Sequence, residues 1–373
     1  MKVALVYDRV NKIGGAERVL EVLHEIWPEA PLYTAVYYPP GAPWAKKFKV
    51  IPSFLNKWPL AKKHHELYPW LTPLAFESFA FGTEDYKSST QRSGASFSDF
   101  DLVISITSAE AKGIITKPKT KHFCYCLTPT RYLWSGYSDY FFNKGLRWLA
   151  QPMVGWMRNW DKIAAQRPDE YLAISQEVQR RIKKYYHRES IVLYPPIDTE
   201  KFYPTEKNQN GDYFLIVSRL VSYKKIDLAV KAFNKLCLPL KIVGTGNQMF
   251  KLKTSAASNI EFLGELTDQE LLSYYQDCRA LIFPQKEDFG LVPLEAQSCG
   301  KPVIAFAGGG ALETVIEGKT GTFFKPQSVK ALMEKVKNFK DKAYQAADCR
   351  KNAEKFNKEI FKKKFKQLVY DRF

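Results

Sequence analysis

Residues 280–306, ALIFPQKEDFGLVPLEAQSCGKPVIAF, restrict what this chain can fold into more than any other stretch. The apolar run at 280–283 is short and is cut off sharply by Pro284, so it reads as a buried parallel strand. A loop follows, and a helical pattern over 291–298 is stopped by Gly300-Lys301-Pro302. The next strand is 302–306. Strand, loop, helix and strand make one β-α-β unit whose loop lies at the first strand's carboxyl end, the end where ligands bind in an open α/β sheet.

Two carboxylates belong to this unit: Glu287 in the loop and Glu295 in the helix, with seven residues between them. Gly290 lets backbone approach a ligand closely, and the N–H groups around Phe289, Gly290 and Leu291, at a helix start, attract anionic oxygen. Acceptor-only groups at this spacing suit polyol hydroxyls, one set on a sugar and the other on a ribose. The plainer reading is a surface carboxylate plus a helix-start carboxylate favoured by the dipole.

Elsewhere the same alternation recurs. In the second half, a buried strand at 213–218 is followed directly by Arg219, then by Lys224 before a helix at 226–236. A planar guanidinium and a compact ammonium at one strand end can grip a diphosphate and stabilise a leaving charge; a solvated turn is the alternative. Further strands read at 240–244, turning through Gly244-Thr245-Gly246, and at 260–264. In the first half, 2–7 reads as the first strand, and Gly14-Gly15 opens a helix through Leu23. That pair is either a phosphate cradle at a helix N-terminus or a plain tight turn. Asp99 and Asp101 read as strand-entry residues, and 82–98 as a polar loop. Trp148 and Trp156, on an amphipathic stretch at 145–158, are expected in the core.

The length, 373 residues, exceeds what one core usually supports, so two domains are expected. Lys and Arg number 56 against 39 Asp and Glu, and the resulting +17 implies acidic partners: nucleotide phosphates, anionic lipid or nucleic acid. Aromatics and bases interleave over 39–80 (Trp44, Lys57, Trp58, Lys62, Lys63, Trp70), as on a membrane-surface patch; a helical hairpin with buried aromatics is the alternative. No run approaches a membrane span, and the N-terminus reads as a strand, not a signal peptide, so a cytoplasmic location is expected, with contact at the inner face of the plasma membrane. Six scattered cysteines show no zinc or iron-sulfur spacing, so reduced thiols and no metal are expected.

Four motifs in order, E-D-F-G-L-V-P-L-E (287–295), A-x-x-x-G-x-P-V-I (296–304), G-G-G-A-L-E-T-V (308–315) and S-R-L-V-S-Y-K-K (218–225), resemble glycosyltransferase family four, the retaining group with two Rossmann-like domains (GT-B). The resemblance is dense in the second half and thinner in the first. It implies an α/β fold with parallel sheets facing an interdomain cleft: an acceptor domain over 1–197, a donor domain over 198–355, and a helix over 356–373 crossing back to the first. It implies a hexose transferred, with retention, from a GDP- or UDP-sugar to a glycan or lipid-linked acceptor in envelope polysaccharide or glycolipid synthesis, without cofactor, metal or nucleic acid.

Carried onto these positions, Arg219 and Lys224 neutralise the departing diphosphate, Glu287 positions the donor sugar with the backbone of Phe289, Gly290 and Leu291, and Glu295 holds the ribose. Leu263 and Gly264 frame the nucleobase, with Gly244 nearby, and Gly14 and Gly15 match the family's glycine-rich loop. The segment 121–137 resembles a subfamily signature that reads C-H-T-P and then R-Y-x-W-D, with Thr128 and Arg131 as acceptor candidates. Leu127 stands where that signature has histidine and Ser135 where it has an acid; Lys225 replaces a usual glycine. The competing readings are a basic nucleic-acid- or membrane-binding scaffold, which has no need of Glu287, and a sugar-nucleotide epimerase on the same fold.

Overall fold

The structure is a computed structural model and describes residues 1–12, 14–81, 100–137, 144–205 and 211–373. The expected loop at 82–98 and Asp99 lie outside the described residues. The chain divides into two compact units, Met1–Tyr194 and Pro195–Phe373.

The first unit is built on seven parallel strands: β1 (Val3–Tyr7), β2 (Leu32–Thr34), β3 (Val50–Pro52), β4 (Leu102–Thr107), β5 (Lys121–Cys126), β6 (Glu170–Ala173) and β7 (Ile191–Val192). Their order is β3-β2-β1-β4-β5-β6-β7. β1 and β4 are buried along their whole length, as continuous apolar runs covered on both faces must be. The helix Gly15–Ile26 follows β1 and buries Val19, Leu20, Val22 and Leu23 on one stripe, while Gln176–Tyr186 is capped by Ser175, whose hydroxyl accepts from the Val178 N–H. His122, on β5, is fully buried with Nε2 2.8 Å from Ser105 Oγ, and burial pushes its imidazole down to about 3.

The second unit carries six parallel strands: β8 (Phe214–Val217), β9 (Leu240–Val243), β10 (Ile260–Gly264), β11 (Leu281–Phe283), β12 (Val303–Phe306) and β13 (Gly321–Phe324). The order is β10-β9-β8-β11-β12-β13. One face is filled by Phe214, Phe233, Ile242 and Ile304, the other by Leu215, Tyr275, Leu281 and Phe283. Both sheets reverse direction of growth beside their first strand, between β1 and β4 and between β8 and β11. Each unit therefore has a topological switch point, where the loops leaving two adjacent strands diverge and open a crevice.

Two expectations are corrected. Trp148 and Trp156 are 73% and 47% exposed, because the helix Lys144–Ala164 turns Val154, Met157, Asp161 and Ala164 inward instead. The aromatic-basic segment is not a helical hairpin: it forms short 3-10 turns, the edge strand β3 and one helix, Leu71–Glu77, and leaves Trp58, Leu60, Leu67, Trp70 and Leu74 exposed. The helix Lys358–Tyr370 buries Phe361, Phe365 and Val369 and leaves Ile360 exposed.

Candidate active site

The loops leaving β8 and β11 hold the residues singled out in the second half. After β8 the chain runs through Ser218 and Arg219 into a 3-10 turn, Ser222–Lys224, and then the helix Ile226–Leu236. Lys225 caps that helix at φ +55°, the left-handed conformation for which glycine is favoured; the exposed lysine adopts it. The path of this loop is set by glycines on β9's turn. A Cβ at Gly244 would stand 2.0 Å from the Ser218 carbonyl oxygen, and one at Gly246 2.3 Å from that of Leu220. The Leu220 N–H in turn donates to the Thr245 carbonyl at 2.8 Å. Arg219 is thereby held at the surface, where its Nη2 donates to the Tyr223 hydroxyl at 2.8 Å.

After β11 the chain passes Pro284, Gln285 and Glu287 and enters the helix Leu291–Ser298 through Gly290, at φ +96°. The triple glycine 308–310 is the bed on which this loop lies. Gly309 bridges Glu287, the Gly310 N–H donates to the Glu287 carbonyl at 2.9 Å, and a Cβ on Gly310 would stand 2.1 Å from the Phe289 carbonyl oxygen. Only bare backbone lets the two loops touch.

These loops bring Lys224 and Glu287 into direct contact, Nζ donating to Oε1, although they are 63 residues apart. Arg219 lies on the same turn as Lys224, joined to it through Tyr223, whose ring lies under the Lys224 ammonium at 5.3 Å. Two cations and one carboxylate thus converge at the switch point, beside the first turn of a helix whose leading N–H groups have no intrahelical acceptor. Gly264, at φ +75°, has open space on its Cβ side, and Leu263 is half-buried.

Glu295 is placed differently. It is 3% exposed, and its Oε2 accepts from the Tyr275 hydroxyl at 2.9 Å, so it lies within the packing of its own helix against Asp268–Asp277. Phe289 is buried against Phe356, so only its backbone is offered to the loop. Two residues escaped the sequence reading: Tyr223, which sits between the two cations, and Gln285, buried with its Oε1 unpaired at the end of β11. The signal for Gln285 was its place one residue past the strand-ending Pro284.

In the first unit, Gly14 is extended (φ −167°) and Gly15 begins its helix; the carboxylate of Glu17 sits in that first turn, 3.1 Å from where a Cβ on Gly14 would be. Burial raises the Glu17 carboxyl, and the Tyr7 hydroxyl that donates to it offsets this in part. Thr128 is buried and its hydroxyl accepts from Arg181; Arg131 is half-buried on the following turn, and Leu127 continues the β5 ladder by donating to Thr107. Among the described residues, no group of three or more His, Cys, Asp or Glu side chains could hold a metal ion, and no helix is long and apolar enough to cross a membrane.

This architecture is that of the GT-B glycosyltransferases. Over its whole length the chain superposes on 99% of sucrose-phosphate synthase from Thermosynechococcus elongatus with a TM-score of 0.75 at 16% identity, a likeness of fold. Residues 197–356, which carry Arg219, Lys224 and Glu287, match the family described as glycosyl transferases group 1. Among relatives, an uncharacterized glycosyltransferase of Methanocaldococcus jannaschii is 29% identical over 182 residues, 47% of this chain and 50% of that protein. The GDP-mannose-dependent alpha-(1-6)-phosphatidylinositol monomannoside mannosyltransferase of Mycolicibacterium smegmatis is 32% identical over 168 residues, 38% of this chain and 44% of that protein. The chain spans about half the length of these relatives.

Proposed function

We propose that this protein is a retaining glycosyltransferase of family four that moves a hexose from a GDP- or UDP-sugar to a glycan or lipid-linked acceptor in envelope polysaccharide or glycolipid synthesis. The observation that carries the reading is the meeting of Arg219, Lys224 and Glu287 at the second unit's switch point, in the segment matched to glycosyl transferases group 1. As the glycosidic bond breaks, negative charge builds on the leaving diphosphate. A guanidinium and an ammonium already fixed at the loop ends stabilise it without reorganising. Glu287, held by Lys224, accepts from hydroxyls of the donor sugar, and Glu295 serves the ribose end of the site through its helix. The acceptor hydroxyl attacks from the face the diphosphate leaves and passes its proton to the departing diphosphate oxygen, which returns the product with the starting anomeric configuration.

The domain division near residue 197, and a final helix over 356–373 that crosses back to the first domain, belong to the same reading. So does contact with an anionic membrane: Trp58, Leu60, Leu67, Trp70 and Leu74 are exposed among lysines 57, 62 and 63, a surface that pairs apolar insertion with attraction to acidic headgroups.

Thermal stabilisation by a panel of nucleoside diphosphates and their sugars tests the reading. One nucleotide-sugar is expected to raise the wild-type melting temperature, and Arg219→Ala to abolish that shift while changing ligand-free stability by less than about 0.5 kcal/mol, as for an exposed side chain. A panel with no stabilising nucleotide at millimolar concentration, alongside salt-sensitive nucleic-acid binding, would replace the transferase with the scaffold.

A further inference from the structure

The two cations at the second unit's switch point are not held alike. Lys224 is 8% exposed and its ammonium reaches Glu287, so burial and an ion pair both fix it. Arg219 is exposed, and among the described residues its guanidinium has no ion pair and one hydrogen-bond partner, the Tyr223 hydroxyl at 2.8 Å. A long exposed side chain scatters its charge over many rotamers, and ordering it on binding costs entropy. Tyr223 orders it beforehand.

The tyrosine is itself fixed. It is half-buried in the 3-10 turn Ser222–Lys224, whose backbone closes on itself: the Lys224 N–H donates to the Val221 carbonyl at 3.1 Å and the Lys225 N–H to that of Ser222 at 3.2 Å. The approach to the turn is tied to the loop after β9, with Leu220 donating to Thr245 and accepting from the Gln248 N–H at 2.9 Å. The ring carries the Lys224 ammonium over its face at 5.3 Å. With Arg219 at its hydroxyl and Lys224 over its ring, one side chain sets the spacing of both cations.

That the partner is a hydroxyl has a consequence for charge. Arg219, Lys224 and Lys225 put three positive charges within seven residues, and Glu287 pairs with Lys224. A carboxylate at 223 would hold Arg219 as firmly but would neutralise it, and an anionic ligand would first have to break that pair. A hydroxyl takes one of the guanidinium's five N–H donors and leaves its charge whole. A ligand that uses both cations must then present negative charge in two places: a single phosphate that closes on one leaves the other behind across the tyrosine ring, while two linked phosphates reach both. We propose that Tyr223 is the positioning residue that sets Arg219 and Lys224 for a leaving group of two phosphates, so that the site selects two linked phosphates over one. The words leaving group rest on the transferase reading; the selection rests on the turn.

Isothermal titration of the full chain tests it, with GDP against GMP, UDP against UMP, and inorganic pyrophosphate against phosphate. Wild type is expected to prefer the diphosphate in at least one pair. Tyr223→Phe keeps the ring under Lys224 and removes the acceptor for Arg219; it is expected to cut that preference about tenfold and to leave monophosphate affinity within about twofold. Arg219→Ala is expected to lose the same preference, and the double variant no more than the larger single loss, because the tyrosine acts through the arginine. Tyr223→Leu carries the same expectation should Tyr223→Phe fold poorly. An unchanged preference in the folded Tyr223 variants, an equal loss for diphosphate and monophosphate, a further loss in the double variant, or a wild type with no preference in any pair would each overturn the assignment. The nucleotide-sugar thermal shift is measured on the same samples. A pyrophosphate preference that depends on Tyr223, with no nucleotide or nucleotide-sugar bound, keeps the assignment and removes the transferase. A nucleotide-sugar shift that Arg219→Ala abolishes and Tyr223→Phe leaves whole, with the diphosphate preference unchanged, does the reverse.

Discussion

The two switch points set like sheets to different uses of charge. In the second unit the polar groups come from two short windows, 218–225 and 284–290, each immediately past a strand, and their positions are imposed by backbone: glycines 244, 246, 309 and 310 give way so that loops can touch. Arg219 is left exposed as a result. In the first unit the charges are buried and pair across long stretches of chain. Lys112 and Asp161 are 1% and 0% exposed and meet at 2.5 Å; the ammonium also donates to Thr130 Oγ1, while Asp161 accepts from Thr130 and from Trp134 Nε1. One site is positioned by the absence of side chains, the other by side chains that cannot be removed singly.

The sharpest way to break that contrast is at Lys112. In Lys112→Met the Asp161 carboxylate stays buried without its cation, and a loss of about 3–5 kcal/mol in unfolding free energy is expected. Adding Asp161→Leu should recover much of it, since replacing both partners removes the stranded charge. Chemical denaturation of the two single variants and the double one measures the coupling. Single variants costing under about 1 kcal/mol would mean that the first unit does not rest on this pair.

In the second unit the equivalent lesion is the addition of one methyl group. Gly310→Ala places a Cβ 2.1 Å from the Phe289 carbonyl oxygen and 2.2 Å from its Cα, contacts that rotation of a side chain cannot relieve. The loop carrying Glu287 must move, at a cost of about 1–3 kcal/mol. The nucleotide-sugar thermal shift is expected to disappear with it. A Gly310→Ala protein that keeps the full shift would show that Glu287's loop is not held by this contact.

The same contrast explains what could be read from residues alone. Buried parallel strands are local apolar runs, so β8 to β12 fall within a residue or two of their expected bounds, and Arg219, Lys224 and Glu287 stand out because each follows such a run closely. The helix Leu291–Ser298 was legible for the same reason. Burial of Glu295 was not, because it depends on Tyr275, twenty residues back on another helix. The exposure of Trp148 and Trp156 was hidden by a polar side chain: periodicity counts Asp161 as surface, yet Lys112, supplied from the β4 loop, makes it core. Lys225 shows the converse, a residue whose type gives no hint of the positive φ its position demands.

The smallest expected effect concerns Leu60, on the first unit's aromatic-basic surface. It has φ +58° and is 66% exposed, and its carbonyl accepts from the N–H groups of Lys63 and His64, which fixes the turn. A leucine is costly in this conformation, while glycine adopts it freely. Leu60→Gly should therefore stabilise the protein, by about 0.5–1 kcal/mol. It should also weaken association with phosphatidylglycerol-containing vesicles, by up to about tenfold, because a leucine that enters the acyl boundary loses most of its contact with water. Opposite signs in denaturation and vesicle sedimentation are the signature of a residue kept strained for contact with a surface. Stabilisation with vesicle binding unchanged would confine the membrane face to Trp58, Leu67, Trp70 and their lysines, and would make Leu60 a plain backbone cost to the first unit, of the kind the second carries at Lys225 and Cys237 while it places glycine at 244, 246 and 309.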